Sequence, residues 1–324
     1  MLKILKHVST VLKNNPLGDT VSRDLYVYLP PDYDPSQAYP TLLALSGFTG
    51  TGAQFFNRDT LTEDLDSRIN RLILSRATQP LILVAPDCFN RLGGSQYINS
   101  PAIGNYEDYL IQEILPFIES QFKVLGWGVL GKSSGGYGSM VLPMRHPGRF
   151  KALACHSGDS NFELGYLPDL KIALDAFKKA GGPKKWLEDF WKDVNHKRRG
   201  YHDTLNILAM AAHYSPHPDF ELGIEFPIDL ETGVFKFDVW KRWQALDPVR
   251  MISHHKKALH QLKYVYIDCG NRDEFGLHWG SRAMSQELKK IGVLHDHEEF
   301  DDGHMSVGYR MDVSIPRLVK SLLQ

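Results

Sequence analysis

The chain has 324 residues, of which 43% are apolar and 23% charged, and its 37 Lys and Arg nearly balance its 38 Asp and Glu. This composition can bury a full hydrophobic core, which excludes an intrinsically disordered chain. The formal net charge of −1 excludes a broad electrostatic surface for nucleic acid or an anionic membrane. Cys88, Cys155 and Cys269 lie far apart in the sequence, which argues against a disulfide framework or a thiolate metal site.

The N-terminal segment does not have the character of a signal peptide. Lys3, Lys6 and His7 interrupt the stretch from Met1 to Lys13, so it lacks a continuous apolar region. No window approaches the roughly 18 unbroken apolar residues that a membrane span requires. We therefore expect a cytoplasmic protein without a membrane partner.

The first predicted elements are two strands, Ile4 to Leu12 and Ser22 to Leu29, around the turn-forming segment 15–19. They predict an antiparallel hairpin. Short apolar runs without alternation follow, as is typical of strands covered on both faces. These runs are residues 41–45, 81–85, 128–130, 152–154 and 264–267.

Apolar residues at helical spacing lie between or after several of these runs. One set precedes Gly292, which we expect just beyond a helix end, and another follows Pro316, which we expect to open the last helix. The sets are Leu110, Ile114 and Ile118; Met284, Leu288 and Ile291; and Ile315, Leu318, Val319 and Leu322. Strands alternating with helices predict an α/β fold with a mostly parallel sheet flanked by helices.

Residues 161–247 do not follow this alternation of strands and helices, and they are predicted to be an insertion into a core formed by residues 1–160 and 248–324. The segment is rich in aromatic residues and predicts a small hairpin from Phe226 to Phe237. Two compatible interpretations are a helical excursion with its own minor core and a cap whose aromatic side chains shape a substrate pocket. The candidate aromatic residues are Trp186, Trp191, Tyr201, Trp240 and Trp243.

The motif that carries most information is G-x-S-x-G, present as Gly131-Lys132-Ser133-Ser134-Gly135. An apolar strand pattern enters it and a helix pattern leaves it, which is the context of a nucleophile elbow. Ser133 is the candidate nucleophile. The backbone N–H of Ser134, at the helix N-terminus, is a candidate donor to a developing oxyanion.

The same region formally matches a phosphate-binding loop, G-x-x-x-x-G-K-S, from Gly126 to Ser133. A phosphate loop requires that the strand end before the first glycine. Here the four variable residues, Trp-Gly-Val-Leu, have the character of the strand itself. The motif therefore favours the nucleophile elbow, and a phosphate-binding NTPase stays the alternative.

A serine nucleophile needs a base and an acid, which in such a fold follow it in the order acid, then histidine. Asp273 lies in the loop after the strand that ends near Ile267, and His304 lies in a glycine-containing turn after the predicted strand His297 to Phe300. Rival acids are Asp268, at the strand end, and the pair Asp301 and Asp302, close before the histidine. We select Asp273 because it has left the sheet.

The second oxyanion donor is expected in the loop after an early central strand. Leu45-Ser46-Gly47-Phe48-Thr49-Gly50 occupies that place, and its glycines allow backbone donors to turn inward. We select the N–H of Phe48.

With these residues in place, the chain resembles the putative-esterase family of α/β-hydrolases, which includes S-formylglutathione hydrolases (esterase D), feruloyl esterases and enterochelin esterases. The resemblance extends over most of the chain and places the family's triad on Ser133, Asp273 and His304, and its oxyanion donors on Phe48 and Ser134. The matching segments are LSGFTGTGAQF (45–55), YINSPAIGNYEDYLIQEILPFIE (97–119), GKSSGGYG (131–138), DCGNRDEF (268–275) and DGHMS (302–306).

Three positions differ from the common pattern of this family. Lys132 stands where His is frequent, Ser134 replaces a common Met, and Gly50 replaces the Cys typical of S-formylglutathione hydrolases. The insertion is also longer. The resemblance thus implies a serine carboxylesterase that acts on a small-molecule ester without a cofactor or metal. The alternatives are an S-formylglutathione hydrolase and a degenerate hydrolase that serves as a binding module.

Overall fold

A central sheet of eight strands organises the computed structural model, which describes all 324 residues. The strand order is β1-β2-β4-β3-β7-β8-β9-β10. The strands are β1 (Leu2–Val8), β2 (Ser22–Tyr28), β3 (Tyr39–Leu45), β4 (Ile82–Pro86), β7 (Val124–Lys132), β8 (Ala152–His156), β9 (Tyr264–Gly270) and β10 (Asp296–Phe300). The two remaining strands, β5 (Asn99–Ser100) and β6 (Gly104–Asn105), form a separate two-residue ladder.

The sheet is parallel apart from one edge. Strands β1 and β2 pair antiparallel, and β2 pairs antiparallel with β4, whereas every other neighbouring pair is parallel. Strands β3, β4 and β8 are buried at every residue, as their continuous apolar runs predict. The predicted hairpin and mostly parallel sheet are confirmed. Because parallel strands end at the same sheet edge, the loops after β3, β7, β8 and β9 lie together there.

Helices cover both faces of the sheet, as the two buried apolar clusters on its opposite sides indicate. They are α1 (Leu65–Leu74), α2 (Tyr106–Asp108), α3 (Leu115–Gln121), α4 (Ser134–Arg145), α5 (Phe162–Gly165), α6 (Leu167–Ala180), α7 (Pro183–Lys192), α8 (Tyr201–Tyr214), α9 (Phe237–Gln244), α10 (Pro248–His254), α11 (Lys256–Leu259), α12 (Leu277–Lys290) and α13 (Met311–Leu323). A π-helical segment, Tyr109–Ile114, joins α2 to α3. Short 3₁₀ turns span Gly52–Phe56, Glu221–Gly223 and Val307–Arg310.

The prediction that Pro316 opens the last helix is wrong. Helix α13 begins at Met311, directly after the 3₁₀ turn Val307–Arg310, and Pro316 lies inside it. Tertiary contacts hold the first turn in place: Met311 is buried, and Asp312 pairs with Arg68 at 2.6 Å. These contacts offset the backbone hydrogen bond that proline cannot donate.

The segment 161–247 follows β8 and contains helices α5 to α9. The predicted hairpin from Phe226 to Phe237 is shorter than expected: one antiparallel bridge joins Ile228 to Phe235, and α9 already begins at Phe237. The segment does not build a private core, because its buried aromatic residues belong to the same apolar cluster as one face of the sheet.

None of the helices combines the length and the apolar character that crossing a bilayer requires.

Candidate active site

Ser133 lies at a sharp turn between strand β7 and helix α4. Its φ of 59° and ψ of −124° are an unusual backbone conformation for a residue with a side chain. Its N–H donates to the carbonyl of His156 at 3.0 Å, and its carbonyl accepts the N–H of Tyr137 at 2.9 Å. The strained turn is therefore fixed from both the neighbouring strand β8 and the helix.

The two glycines of the motif are required by close backbone approaches. A Cβ on Gly131 would lie 2.2 Å from the carbonyl oxygen of Gly135, and a Cβ on Gly135 would lie 2.0 Å from that of Leu45. Neither contact can be relieved without moving the backbone. The pattern G-x-S-x-G thus follows from the packing of the turn against itself and against strand β3.

The alternative reading as a phosphate loop is excluded by the same element. Strand β7 runs from Val124 through Lys132, so the residues from Trp127 to Leu130 are part of the sheet. They pair with β3 on one side and, from Gly128, with β8 on the other. Their N–H groups are thus in a strand rather than in a loop that could surround a phosphate.

His304 contacts Asp273 directly. Nδ1 of His304 lies 2.7 Å from Oδ2 of Asp273, and both side chains are buried. The backbone N–H of His304 donates to Glu274 at 2.7 Å, and the ring of Phe275 packs edge-on against the imidazole at 4.8 Å. The loop after β9 therefore positions the imidazole from three consecutive residues.

Asp273 is held as a carboxylate. Burial alone would raise its pKa, but the hydrogen bond and charge of His304, with the N–H groups of Leu277 and Phe275, keep the pKa below its ordinary value. Those two N–H groups donate to Oδ1 at 3.3 and 3.0 Å, which leaves Oδ2 for the imidazole. An ionised acid at this position selects the tautomer in which Nδ1 carries the proton.

Asp268, the main rival acid, does not reach His304. It is fully buried, and its carboxylate contacts Nδ1 of His156 at 2.6 Å and Nε of Arg310 at 2.8 Å. Nε2 of His156 in turn lies 2.9 Å from Oγ of Ser314. These residues have the hydrogen-bond order of a catalytic triad, but all three members are buried away from the cavity that contains Ser133, so no substrate reaches them.

The other rival acids have partners elsewhere. Asp301 pairs with Arg272 at 3.3 Å on the surface. Asp302 accepts the N–H of Gly303 at 2.8 Å and the hydroxyl of Tyr309 at 3.1 Å. Asp273 is thus the carboxylate that meets His304.

Two backbone N–H groups at the cavity lack acceptors. The N–H groups of Phe48 and Ser134 donate to no group in the chain, and both residues line the same cavity as Ser133. Ser134 is also the first residue of α4, where the helix dipole favours negative charge. The pair has the properties that an oxyanion hole requires.

The cavity has a volume of about 180 Å³, and Ser133 and His304 both line it. Nε2 of His304 has no partner in the chain, whereas Oγ of Ser133 lies 3.4 Å from Oδ1 of Asp159. Serine and imidazole therefore face one cavity without the hydrogen bond that a substrate complex would form. Catalytic hydrogen bonds are often incomplete in unliganded sites.

Sequence reasoning missed Asp159, a buried carboxylate beside the nucleophile. Oδ2 of Asp159 accepts hydrogen bonds from Tyr166 at 3.0 Å, from Gln96 at 3.1 Å and from Ser134 at 3.1 Å. Burial raises its pKa, against the effect of these donors. Its position in the loop after the buried strand β8, at the sheet edge that carries the site, was the available signal.

The candidate aromatic residues of the insertion do not line the cavity. Trp186, Trp240 and Trp243 are buried in the core, and Trp191 is exposed. The insertion instead contributes other residues to the cavity: Gly165, Tyr166, His202 and Asn206. The ring of His202 packs between those of Phe48 and Phe275, with ring centroids 5.8 and 5.6 Å apart.

Lys132 contributes a positively charged side chain to the wall of the cavity, beside Ser133. Burial lowers its pKa, while the charges of Asp273 and Asp159 act in the opposite direction.

The sheet order, the elbow between β7 and α4, and the acid and histidine loops after β9 and β10 define an α/β-hydrolase. A comparison with family models agrees: the model described as "Putative esterase" matches residues 20–312. The chain belongs to this esterase family.

Two curated relatives align with part of the chain. Esterase Rv1288 of Mycobacterium tuberculosis is 32% identical over 146 residues, which cover 42% of this chain and 29% of that protein. Dipeptidyl-peptidase 5 of Porphyromonas gingivalis is 30% identical over 175 residues, covering 52% of this chain and 23% of that protein. The aligned parts thus span less than a third of either relative.

Among solved structures, a ferulic acid esterase has the same fold over nearly the whole chain. Its TM-score is 0.64 at 18% identity, with 99% of this chain and 98% of that chain covered.

Proposed function

We propose that the protein is a serine carboxylesterase in which Ser133 is the nucleophile, His304 the general base and acid, and Asp273 the residue that orients the imidazole. The observation that carries this proposal is the convergence of three elements on one cavity. Ser133 occupies a strained elbow, the His304–Asp273 pair is hydrogen-bonded at 2.7 Å, and two residues whose N–H groups have no acceptor, Phe48 and Ser134, line the same cavity.

In the first half of the reaction, Oγ of Ser133 attacks the ester carbonyl carbon while its proton passes to Nε2 of His304. The carbonyl oxygen becomes an oxyanion, to which the N–H groups of Phe48 and Ser134 donate. When the carbon–oxygen bond to the alcohol breaks, His304 gives the proton to the departing alkoxide. An acyl group then remains on Ser133.

In the second half, water replaces the alcohol. His304 takes a proton from the water, whose oxygen attacks the acyl carbon, and returns the proton to Oγ of Ser133 when that bond breaks. The products are one carboxylic acid and one alcohol. Asp273 stays ionised throughout and stabilises the imidazolium that forms twice in each cycle.

The cavity favours a small acyl group. Its volume of about 180 Å³ is below the roughly 300–1,000 Å³ typical of sites for drug-sized ligands. Tyr166, His202 and Asn206 from the insertion form part of its wall, so residues 161–247 act as a cap over the core formed by 1–160 and 248–324. The family match and the esterase among the curated relatives support the reaction class.

The test is the rate of hydrolysis of a short nitrophenyl ester by Ser133→Ala. We expect kcat to fall by about three decades or more, as losses of a triad nucleophile do. The matched control is Ser134→Ala, which removes the neighbouring hydroxyl but keeps the backbone N–H, and which should retain far more activity. Near-normal activity in Ser133→Ala would refute the proposal.

A further inference from the structure

Asp159 is the least explained group at the site. Its side chain is more than nine-tenths buried, it lines the cavity, and the triad chemistry does not use it. Burying a carboxylate is costly unless partners satisfy both oxygens. The two carboxylate oxygens of Asp159 differ in the number of hydrogen bonds that they accept.

Oδ2 is saturated by the protein. It accepts hydrogen bonds from Tyr166, Gln96 and Ser134, all at 3.0 to 3.1 Å, so its orientation is fixed. The backbone N–H of Asp159 also donates to the carbonyl of Ser133 at 3.3 Å, which ties the residue to the elbow. These contacts direct Oδ1 toward the nucleophile.

Oδ1 has a single contact, the hydroxyl of Ser133 at 3.4 Å, which is long for a hydrogen bond to a carboxylate. During attack that hydroxyl must turn its proton to His304, and Oδ1 then loses its only donor. A buried carboxylate oxygen facing a cavity without a donor is costly, so a substrate that supplies one is favoured.

The distance from Ser133 indicates where on a substrate that donor would lie. A substituent on the carbon next to the carbonyl is two bonds, about 2.5 Å, from the atom that Oγ attacks. A donor there lies within hydrogen-bond reach of an oxygen 3.4 Å from Oγ. The alcohol part leaves toward His304, so the donor belongs to the acyl part.

We propose that Asp159 is a specificity residue that selects esters whose acyl group carries a hydroxyl or ammonium donor on the carbon next to the carbonyl. This inference rests on the proposed esterase function and names the class of substrate for that site. When the donor occupies Oδ1, the hydroxyl of Ser133 is released from Asp159 to His304.

Three ethyl esters of nearly equal size test this directly: isobutyrate, lactate and alaninate, which differ in a methyl, a hydroxyl or an ammonium group. Each kcat/KM is divided by the rate of hydroxide-catalysed hydrolysis of the same ester, to remove intrinsic reactivity. For the wild type we expect lactate or alaninate to exceed isobutyrate by tenfold or more, since hydrogen bonds to charged groups are among the stronger ones. Which of the two leads identifies the donor.

In Asp159→Asn the preference should shrink to within about threefold of unity. The matched control is Asp175→Asn, which removes the same charge from an exposed ion pair with Lys171 on helix α6 and should keep the wild-type ratio. If Asp159→Asn does not fold, as judged by thermal unfolding, the wild-type series alone decides.

Equal rates for the three esters in the wild type, or a preference that survives in folded Asp159→Asn, would overturn this inference and leave the esterase proposal intact. If no ester is hydrolysed and no serine reacts with a fluorophosphonate, the proposed function fails and the inference fails with it.

Discussion

Replacing Asp273 by Asn should place the wrong tautomer of His304 in the site. Oδ1 of Asp273 accepts two backbone N–H groups, from Phe275 at 3.0 Å and Leu277 at 3.3 Å. In the variant the amide oxygen keeps those donors, so the NH₂ group faces Nδ1 of His304. Nδ1 must then accept a hydrogen bond, and the proton moves to Nε2, where it prevents the ring from accepting the proton of Ser133.

The expected loss of activity is large because the variant keeps the position of the His304 ring but reverses which of its two nitrogens carries the proton. A tautomer change in a serine triad lowers kcat by about 10⁴-fold, or about 5 kcal/mol of barrier. The assay is steady-state hydrolysis of a short nitrophenyl ester near pH 7, with thermal unfolding to show that the variant is folded. A folded Asp273→Asn that loses less than tenfold would refute the assignment of Asp273.

Three further variants test other parts of the account. Asp268→Asn should lower the free energy of unfolding in urea by about 3–5 kcal/mol, because it breaks the buried contacts with His156 and Arg310. Its folded fraction should keep far more activity than Asp273→Asn, and the reverse ranking of activities would contradict this prediction. Burial lowers the pKa of His213 from 6.5 to about 4 in the folded protein. Between pH 6.5 and 4 the histidine is therefore protonated in the unfolded chain but not in the folded protein, so the free energy of unfolding decreases as the pH falls through this range. His213→Gln should remove about 2 kcal/mol of the loss between pH 7 and 5, and an unchanged pH dependence would oppose this. Gly135→Ala should yield no folded active protein, because the added methyl group would lie 2.0 Å from the carbonyl oxygen of Leu45. The control Gly126→Ala, whose methyl group would have its nearest contact at 3.8 Å, should fold, and equal yields of folded protein from the two variants would contradict this prediction.

The parts of the fold that follow from local pattern were predictable. Continuous apolar runs identify buried strands, and G-x-S-x-G between a strand and a helix identifies the elbow, because both depend on neighbours in sequence. The choice of Asp273 over Asp268 was also predictable, because the side chain of a residue inside a strand is directed by the strand and cannot reach a distant loop. In the structure Asp268 contacts His156, on the neighbouring strand β8, rather than His304.

The parts that depend on tertiary contacts were not predictable from local pattern. Pro316 has the preference of a helix start, but the ion pair of Asp312 with Arg68 places the start at Met311. The sequence left open whether the insertion's tryptophans line a pocket or a core, and packing placed Trp186, Trp240 and Trp243 in the core and left Trp191 exposed.

Asp159 required knowledge of three distant partners. Its carboxylate is oriented by Gln96, Ser134 and Tyr166, which lie in different parts of the chain. No spacing in the sequence links these residues, so only the assembled sheet edge shows that a buried carboxylate adjoins the nucleophile.

The central claim is that Ser133 forms the covalent intermediate, and a fluorophosphonate probe tests it most directly because it reacts with activated serines. Trypsin cleavage after Lys132 and Arg145 releases a peptide that contains Ser133, Ser134 and Ser139, which fragmentation in a mass spectrometer distinguishes. We predict a single phosphonyl group on Ser133 and no labelling of Ser133→Ala. Labelling of another serine, or of none in the folded wild type, would contradict the account.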